Sequence, residues 1–138
     1  RPTATDLSMA PKGHDCFYVL SPVPNLQSKT NWKSYAKIYQ KKILLALEQT
    51  IMPDLVKNLD ICFNMTPDDF QKDYLSLNGA GFSISPIFRQ SAWFRFHNKS
   101  ENFENLYFTG AGSHPGAGVP GVISSAKVIE NLIVNENK

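Results

Sequence analysis

The segment from Asn105 to Ile133 constrains the fold more than any other part of the chain, because a loop with almost no side chains joins a short apolar run to an amphipathic one. Residues 106–109 have the composition of a buried strand. The apolar residues after the loop recur at spacings of three and four, namely Val119, Val122, Ile123, Ala126, Ile129 and Ile133. That spacing predicts a helix, so we expect a strand, a tight loop and a helix in succession.

The loop is rich in glycine, which lets a flat or phosphorylated ligand approach the main chain: Gly110, Gly112, Gly116, Gly118 and Gly121. Pro120 suits the first turn of the helix. The N–H groups of Gly121, Val122 and Ile123 are expected to be free there, where an electron-rich ligand edge is stabilised. The junction is therefore read either as a ligand-holding loop or as a tight turn with no ligand.

Residues 116–121 match the G-x-G-x-x-G string of a dinucleotide-binding turn. That string expects a strand directly before its first glycine and an acidic residue about 20 positions later on a second strand. The predicted strand ends at Thr109, and no second strand follows the helix. The loop is therefore not predicted to be a primary dinucleotide site.

Residues 110–122, GAGSHPGAGVPGV, resemble the C-terminal flavin-contacting signature of the bacterial and fungal type of phytoene desaturase, whose usual form is GAGTHPGAGIPGV. The resemblance continues through RPTATDLSMAPKG at 1–13, FYVLSPVPNL at 17–26, LEQTIMPDL at 47–55, TPDDF at 66–70 and QSAWFRFHN at 90–98. Leu7 and Phe96 depart from the family, which usually has proline at both positions. The motifs are unrelated to one another and occur in the family's order.

The predicted order of strands and helices suits a mixed α/β fold, and the resemblance implies the C-terminal portion of a two-domain flavoprotein. Residues 1–100 would belong mainly to the substrate domain, including a helix at 31–51, and residues 101–138 would return to the FAD-binding domain as strand, loop and helix. The cofactor-binding residues that it implies are Gly110, Ala111, Gly112, His114, Pro120, Gly121 and Val122. No metal ligand and no catalytic residue is assigned.

The activity implied by the resemblance is an FAD-dependent oxidoreductase that introduces double bonds into a phytoene-like polyene by hydride transfer to flavin, in carotenoid biosynthesis. A cytoplasmic, peripherally membrane-associated enzyme is expected, and the N-terminal FAD-binding part of the polypeptide is required for activity. Two alternatives stay open. One is a related flavoenzyme, such as a C30 polyene desaturase or a carotenoid isomerase; the other is a non-catalytic module that binds a lipid or a partner.

Length and charge set further bounds. A chain of 138 residues can form one modest domain. Its longest apolar stretch, around residues 43–47, is far shorter than the ~20 residues of a membrane-crossing helix. Fourteen basic against twelve acidic side chains do not indicate nucleic acid. Lys33, Lys37, Lys41 and Lys42 are interpreted as a solvated helix face, with a membrane-surface role as the alternative.

The remaining periodicity predicts strands at 16–20 and 59–65 and two helices. Thr30 or Asn31 is expected to cap a helix that runs to about Ile51 and is stopped by Pro53. Its predicted buried side comprises Trp32, Tyr35, Ala36, Tyr39, Ile43, Ala46 and Leu47. The Thr66-Pro67-Asp68-Asp69 run predicts the start of a short helix, with Phe70, Tyr74 and Leu75 as its packing face.

Residues 78–96 are predicted to be irregular, because Gly79, Gly81 and Pro86 interrupt them. Their large apolar side chains are Phe82, Ile84, Ile87, Phe88, Trp93, Phe94 and Phe96. These either pack as ordinary core or line an apolar channel for a long hydrocarbon. Arg89 and Arg95 are interpreted as surface charges or as groups that approach the flavin.

The histidines and cysteines complete the candidates. His14 is predicted to face solvent and His97 to be structural. His114 lies in the glycine loop, where it is expected to hold the loop shape by a backbone hydrogen bond or, as the alternative, to donate to the cofactor. Cys16 and Cys62 lie in apolar runs, so buried free thiols are expected.

Overall fold

The computed structural model describes residues 1–85 and 87–136. Pro86, which we counted in the irregular middle, and residues 137–138, the end of the predicted C-terminal segment, lie outside the described residues. Three α-helices are present in the described part: α1 (Trp32–Thr50), α2 (Pro67–Tyr74) and α3 (Val119–Glu136). Single 3₁₀ turns occupy Pro2–Ala4, Leu7–Met9, Leu26–Ser28, Val56–Asn58, Leu77–Gly79, Phe88–Gln90 and Ala92–Phe94.

Helix α1 begins and ends where the sequence predicts. The Asn31 side chain accepts a hydrogen bond from the Ser34 N–H at 3.3 Å, which satisfies one of the donors at the helix start. At the other end the Ile51 N–H donates to the Leu47 carbonyl, and Pro53 follows outside the helix. The predicted bounds of this helix are therefore confirmed.

An aromatic cluster packs the first turns of α1. Trp32 is buried, and its ring meets those of Tyr35 and Tyr39 edge-on, with centroids 6.1 and 6.5 Å away. The Tyr39 hydroxyl also exchanges a hydrogen bond of 2.7 Å with Ser21, which ties the preceding segment to the helix. The predicted buried side is only partly right, because Tyr35 and Ala46 are exposed.

Helix α2 starts with the predicted cap. The Thr66 N–H and hydroxyl both donate to one Asp69 carboxylate oxygen at 2.7 Å, and these hydrogen bonds lower the pKa of Asp69. Pro67 occupies the first helical position, where its missing N–H costs nothing. The start of this helix is confirmed. Its predicted packing face is mostly wrong, since Tyr74 and Leu75 are exposed.

Gly79 packs directly on the start of α2. Both Gly79 and Pro67 are buried, and a Cβ atom at position 79 would lie only 2.0 Å from the Pro67 carbonyl oxygen. The φ angle of Gly79 is +67°, a conformation that side-chain-bearing residues disfavour. Glycine is therefore required here both by its conformation and by the space available.

The predicted strands at 16–20 and 59–65 are not confirmed, because neither segment has a ladder partner among the described residues. The strand at 106–109 is reduced to one antiparallel bridge, between Tyr107 and Lys99, and a parallel bridge joins Phe96 to Ser113. The mixed α/β class thus gives way to a mainly helical structure. Alternating apolar residues favour a strand, but a strand forms only where another segment supplies its hydrogen-bonding partner.

Large apolar side chains of the irregular middle are exposed, which makes the core-packing interpretation wrong for this structure. Phe88, Trp93 and Phe96 expose 81%, 74% and 69% of their surface. Such contiguous apolar exposure is typical of a surface that contacts something else. None of the described helices combines the length and the apolar character needed to cross a membrane.

The remaining surface residues mostly follow the predictions. His14 is exposed, as predicted, and lies 2.9 Å from the Asp60 carboxylate. His97 lies 3.0 Å from Glu101 in an exposed pair, and its structural role stays a prediction. Cys16 and Cys62 are free thiols, but Cys16 is half-buried and Cys62 is exposed, so their predicted burial is wrong. The lysine face of α1 is exposed, as predicted.

Candidate ligand-binding loop

Buried polar side chains hold the glycine-rich loop from within the protein. Arg95, Asn98, Ser113 and Ser125 expose 5%, 4%, 3% and 0% of their surface. Polar groups are buried at low cost only when they are hydrogen-bonded, and each of these bonds to loop atoms or to its neighbours on the loop. Hydrogen bonds from buried polar side chains therefore hold the loop in place; we call it the braced loop.

Arg95 links the loop to the irregular middle through main-chain carbonyl groups of both. Its Nε and Nη2 atoms both donate to the Ala111 oxygen, at 3.0 and 2.6 Å. Nη1 donates to the Gln90 oxygen at 3.1 Å, and Nη2 also reaches the Phe82 oxygen at 3.4 Å. The interpretation of Arg95 as a surface charge is wrong, whereas Arg89 is exposed.

Asn98 connects the segment before the loop to the middle of the loop. Its side-chain amide donates to the Phe108 oxygen at 3.1 Å and to the His114 oxygen at 2.8 Å. The main chain continues the same pattern, because the Phe108 N–H donates to the Asn98 oxygen and the His114 N–H to the Phe96 oxygen. Residues 96–98 thus lie between Phe108, just before the loop, and His114, in its middle.

Ser125 joins α3 to the start of the loop. Its hydroxyl oxygen accepts from the Gly110 N–H at 2.9 Å, donates to the Val122 oxygen at 2.6 Å, and lies 2.7 Å from the Thr109 hydroxyl. The fully buried Ser125 side chain therefore fixes the position of the start of the loop relative to α3. Ser125 was not among the residues predicted from the sequence to matter for the loop.

Replacing Ser125 with alanine is expected to destabilise the junction between the loop and α3. The Gly110 N–H would lose its acceptor inside the protein, which costs about 1–3 kcal/mol. Thermal unfolding of the full-length protein should show the loss. The matched control is Ser124→Ala, because Ser124 is the exposed neighbour on the same helix. Equal melting temperatures for the two variants would contradict the bridging role of Ser125.

The glycines differ in what surrounds them. A Cβ atom at Gly121 would lie 2.5 Å from the Gly116 carbonyl oxygen, so the loop and the first turn of α3 touch there through their main chains. At Gly110 and Gly118, by contrast, a Cβ atom would meet nothing within 4 Å. The loop is closed on the side of α3 and open at these two positions.

The predicted cofactor-binding residues are all brought into this one region. Gly110, Ala111 and Gly112 precede the turn, His114 lies on it, and Pro120 and Gly121 form the first turn of α3. The expectation of three free N–H groups is wrong for Val122 and Ile123: the Val122 N–H donates to the Gly118 oxygen at 2.9 Å and closes the first helical turn, and Ile123 follows it inside α3. Gly121 precedes Val122 in the first turn of α3.

The buried face of α3 differs from the prediction. Val119 and Ile123 expose 74% and 66% of their surface, and Ile133 is also exposed. The face that packs inward passes through Gly121, Val122, Ser125, Val128, Ile129 and Leu132. Ser125 follows Val122 by three residues and precedes Ile129 by four, and that spacing is the signal that could have identified it.

His114 shapes the loop through its main chain. Its N–H and its carbonyl are both bonded to the 96–98 segment, through Phe96 and Asn98. The His114–Pro115 peptide bond is cis. The predicted shaping role is therefore supported, and donation to a cofactor stays a prediction.

A depression of about 220 Å³ adjoins the loop. Phe82 and Ile84 line it from the irregular middle, and Pro115, Gly116 and Ala117 line it from the loop. Arg95 and Ser91 complete the lining. The wall is thus mostly apolar, with one buried cation beside it. The described residues contain no group of three or more His, Cys, Asp or Glu side chains placed to hold a metal ion.

A surface cluster fixes the far end of α3. The Glu136 carboxylate accepts from the Lys99 ammonium at 2.5 Å and from the Tyr107 hydroxyl at 2.6 Å. These two hydrogen bonds lower the pKa of Glu136, and the bond to Glu136 raises the pKa of Lys99. Lys99 and Tyr107 are also the pair joined by the antiparallel bridge, so the cluster attaches α3 to the segment that leads into the loop.

Acidification is expected to release this end of α3. A carboxyl group with a lowered pKa in the folded state contributes stability above its unfolded pKa, and that contribution is lost as the pH falls through the folded value. Glu136→Gln should show the same loss at neutral pH, as faster hydrogen exchange of the Ser100 N–H, which bonds to the Leu106 oxygen. Glu130→Gln, which removes only a pairing within the helix, is the control. Unchanged exchange in Glu136→Gln would refute the attachment.

Comparison with known proteins gives a consistent result. The chain is 46% identical over 140 residues to a phytoene desaturase (neurosporene-forming) of Rhodobacter capsulatus, covering 100% of this chain and 27% of the relative. It is 50% identical over 134 residues to the protein of the same name from Cereibacter sphaeroides, covering 96% and 26%. A 4,4'-diapophytoene desaturase (4,4'-diaponeurosporene-forming) of Staphylococcus aureus is 36% identical over 140 residues, covering 98% and 28%.

The resemblance noted in the sequence is confirmed by these relatives, which align with the chain over nearly its whole length. The chain spans about a quarter of the length of the curated relatives that it matches, in their C-terminal part. No protein-family model matches the chain, and no solved structure gives a significant match.

Proposed function

We propose that this chain, which corresponds along its whole length to the C-terminal quarter of phytoene desaturases, is the part of an FAD-dependent carotenoid desaturase that holds one edge of the flavin. The observation that carries the proposal is the braced loop at 110–122. Its sequence resembles the flavin-contacting signature of the family. Its main chain is held rigidly by buried polar groups while part of its surface stays open.

The residues of the loop fit a flat, electron-rich ligand. Open space next to Gly110 and Gly118 leaves room for a ring to approach the main chain. The first turn of α3 adds the positive end of a helix dipole, worth about 0.3–1 kcal/mol toward an electron-rich edge. Gly110, Ala111, Gly112, His114, Pro120, Gly121 and Val122 are the residues that we propose to surround the flavin.

When bound, FAD would supply the two-electron acceptor that side chains lack, taking a hydride from an unactivated carbon while a proton leaves the neighbouring carbon. The chain's own contribution is placement. Ser125 and Arg95 fix the start of the loop at Gly110 and Ala111, and Asn98 fixes its middle at His114. Rigid donors that need no rearrangement during the reaction are effective because their orientation is set in advance.

The substrate proposed is a long polyene hydrocarbon of the phytoene type. Phe82 and Ile84 line the depression beside the loop, and Phe88, Trp93 and Phe96 are exposed nearby in the sequence. A hydrocarbon requires apolar walls and no polar partner, and flat aromatic rings suit a flat polyene. These side chains support the second interpretation of the irregular middle, a channel wall.

We further propose that the enzyme acts at a membrane surface from the cytoplasmic side and needs the N-terminal part of the polypeptide. An apolar substrate and product reside in lipid, and the exposed lysine face of α1 suits anionic head groups. The division into a substrate-domain portion at 1–100 and an FAD-domain portion at 101–138 belongs to this proposal.

The test of the function is an absorbance scan of the purified full-length protein. A flavoenzyme shows the flavin bands in the visible range, whereas a module that only binds lipid or a partner is colourless. Product analysis in cells that make either a C40 or a C30 precursor then separates a phytoene desaturase from a C30 desaturase, and an unsaturated product of changed geometry only would indicate an isomerase. A colourless protein would overturn the proposal.

A further inference from the structure

Arg95 is a buried cation with no carboxylate partner among the described residues. The ion pairs in that part of the chain are formed by other side chains. Arg95 exposes only 5% of its surface. The carbonyl groups that accept from Arg95 satisfy its N–H groups but do not neutralise its charge, and burial of a charge without a counter-ion is costly. Positions that break such a rule without a gain in packing are commonly functional. The depression lined by Arg95 lies directly beside the loop.

The guanidinium fixes one peptide group of the loop. Both Nε and Nη2 converge on the Ala111 oxygen, so the carbonyl of that peptide points at Arg95. The Ala111–Gly112 peptide is trans, since the cis peptide bond among the described residues is His114–Pro115. In a trans peptide the C=O and N–H point in opposite directions, so the Gly112 N–H points away from the guanidinium.

The Gly112 N–H has no acceptor in the described part of the chain, although Gly112 is half-buried. A partly buried main-chain donor normally finds a partner. The direction of this N–H is set by Arg95. Position 112 has no side chain, and the nearest group to where a Cβ atom would lie is the Ser83 hydroxyl, at 3.0 Å, so a ligand that reaches the Gly112 N–H must approach past Ser83. The acceptor that fits is the electron-rich edge of a planar ring.

We infer that Arg95 is a positioning residue for the proposed flavin: it orients the Gly112 N–H toward the ring, and its charge favours the reduced, more negative form. The inference deepens the proposed function and depends on it. Arg95 has five N–H groups, and the four hydrogen bonds to carbonyl groups leave one on Nη1. The fork on a single oxygen is a geometry that lysine cannot reproduce.

The experiment compares flavin affinity and flavin midpoint potential in the full-length protein, for wild type, Arg95→Met, Arg95→Lys and Arg89→Met. Arg95→Met is expected to bind FAD about tenfold more weakly and to lose about tenfold of the preference for reduced over oxidised flavin, which corresponds to about 30 mV lower potential. Arg95→Lys keeps the charge, so its flavin midpoint potential should be close to that of wild type while its affinity for FAD stays low. Arg89→Met removes an exposed charge and should match wild type in both.

Each outcome decides the inference. The potential is measured at saturating FAD, so a variant that is merely less stable would show a normal value. Arg95→Met with wild-type affinity and potential would overturn the inference while a yellow wild-type protein keeps the proposed function. If Arg95→Met does not fold, Arg95→Lys decides, because wild-type affinity in that variant also overturns the inference. A colourless wild type would overturn the proposed function and this inference together.

Discussion

Replacing Gly121 with valine is expected to abolish flavin retention in the full-length protein. A Cβ atom at this position would lie 2.5 Å from the Gly116 oxygen and 3.2 Å from the Gly116 carbonyl carbon. Both are main-chain atoms, so the loop must move away from α3 to relieve the overlap. Overpacking of this kind costs about 1–3 kcal/mol. Flavin binding would then require the loop to return to its original conformation, which makes the binding free energy less favourable by a similar amount. The protein should therefore purify without yellow colour.

The control is Ser124→Val in the same helix. Ser124 is exposed, so the same β-branched side chain is added to α3 without touching the loop. Gly121→Ala provides a graded step, because it adds only the Cβ atom. Far-ultraviolet circular dichroism of each variant establishes that the fold survives. A Gly121→Val protein that purifies yellow with unchanged activity would refute the placement of the flavin on this loop.

Replacing Gly79 with alanine is expected to produce the largest loss of stability. The new Cβ atom would lie 2.0 Å from the Pro67 oxygen and 2.8 Å from the Pro67 Cα, and φ at this position is +67°. The left-handed conformation costs about 1–2 kcal/mol for a residue with a side chain, and the overlap adds about 1–3 kcal/mol. The start of α2 should therefore unfold locally, which lowers the melting temperature and speeds hydrogen exchange of the α2 amides.

Gly13→Ala is the matched control for this substitution. Gly13 also has a positive φ, of 82°, but a Cβ atom there would meet nothing within 4 Å. The Gly13→Ala variant should therefore lose only the stability that the left-handed conformation costs a residue with a side chain, about 1–2 kcal/mol. Similar melting temperatures for Gly79→Ala and Gly13→Ala would show that α2 and residue 79 do not pack as described.

Local signals in the sequence predicted the helices well. Asn31 and Thr66 act as caps, and Pro53 and Pro67 stand where a helix ends or begins, because each of these effects depends on neighbouring residues alone. Pro120 likewise lies in the first turn of α3. The family resemblance of the loop was also readable, since it rests on the order of residue types.

Signals that depend on distant partners failed. The apolar runs at 16–20 and 59–65 have the composition of strands, yet pairing requires another segment, and none of the described residues supplies it. The buried face of α3 is rotated from the predicted one because Ser125 bonds to Gly110, a contact between residues well separated along the chain. Arg95 was one of two candidate arginines, and only its burial distinguishes it from Arg89.

The sequence by itself determined both bounds of α1, the starts of α2 and α3, the glycine-rich loop and the likeness to phytoene desaturases, because these depend on local conformation and on the order of residues. The tertiary structure alone decided which polar side chains are buried beneath the loop, which way the Ala111–Gly112 peptide points and which apolar groups stay exposed. Burial and hydrogen-bond direction arise from contacts between segments far apart in the chain, and residue type and spacing do not specify those contacts.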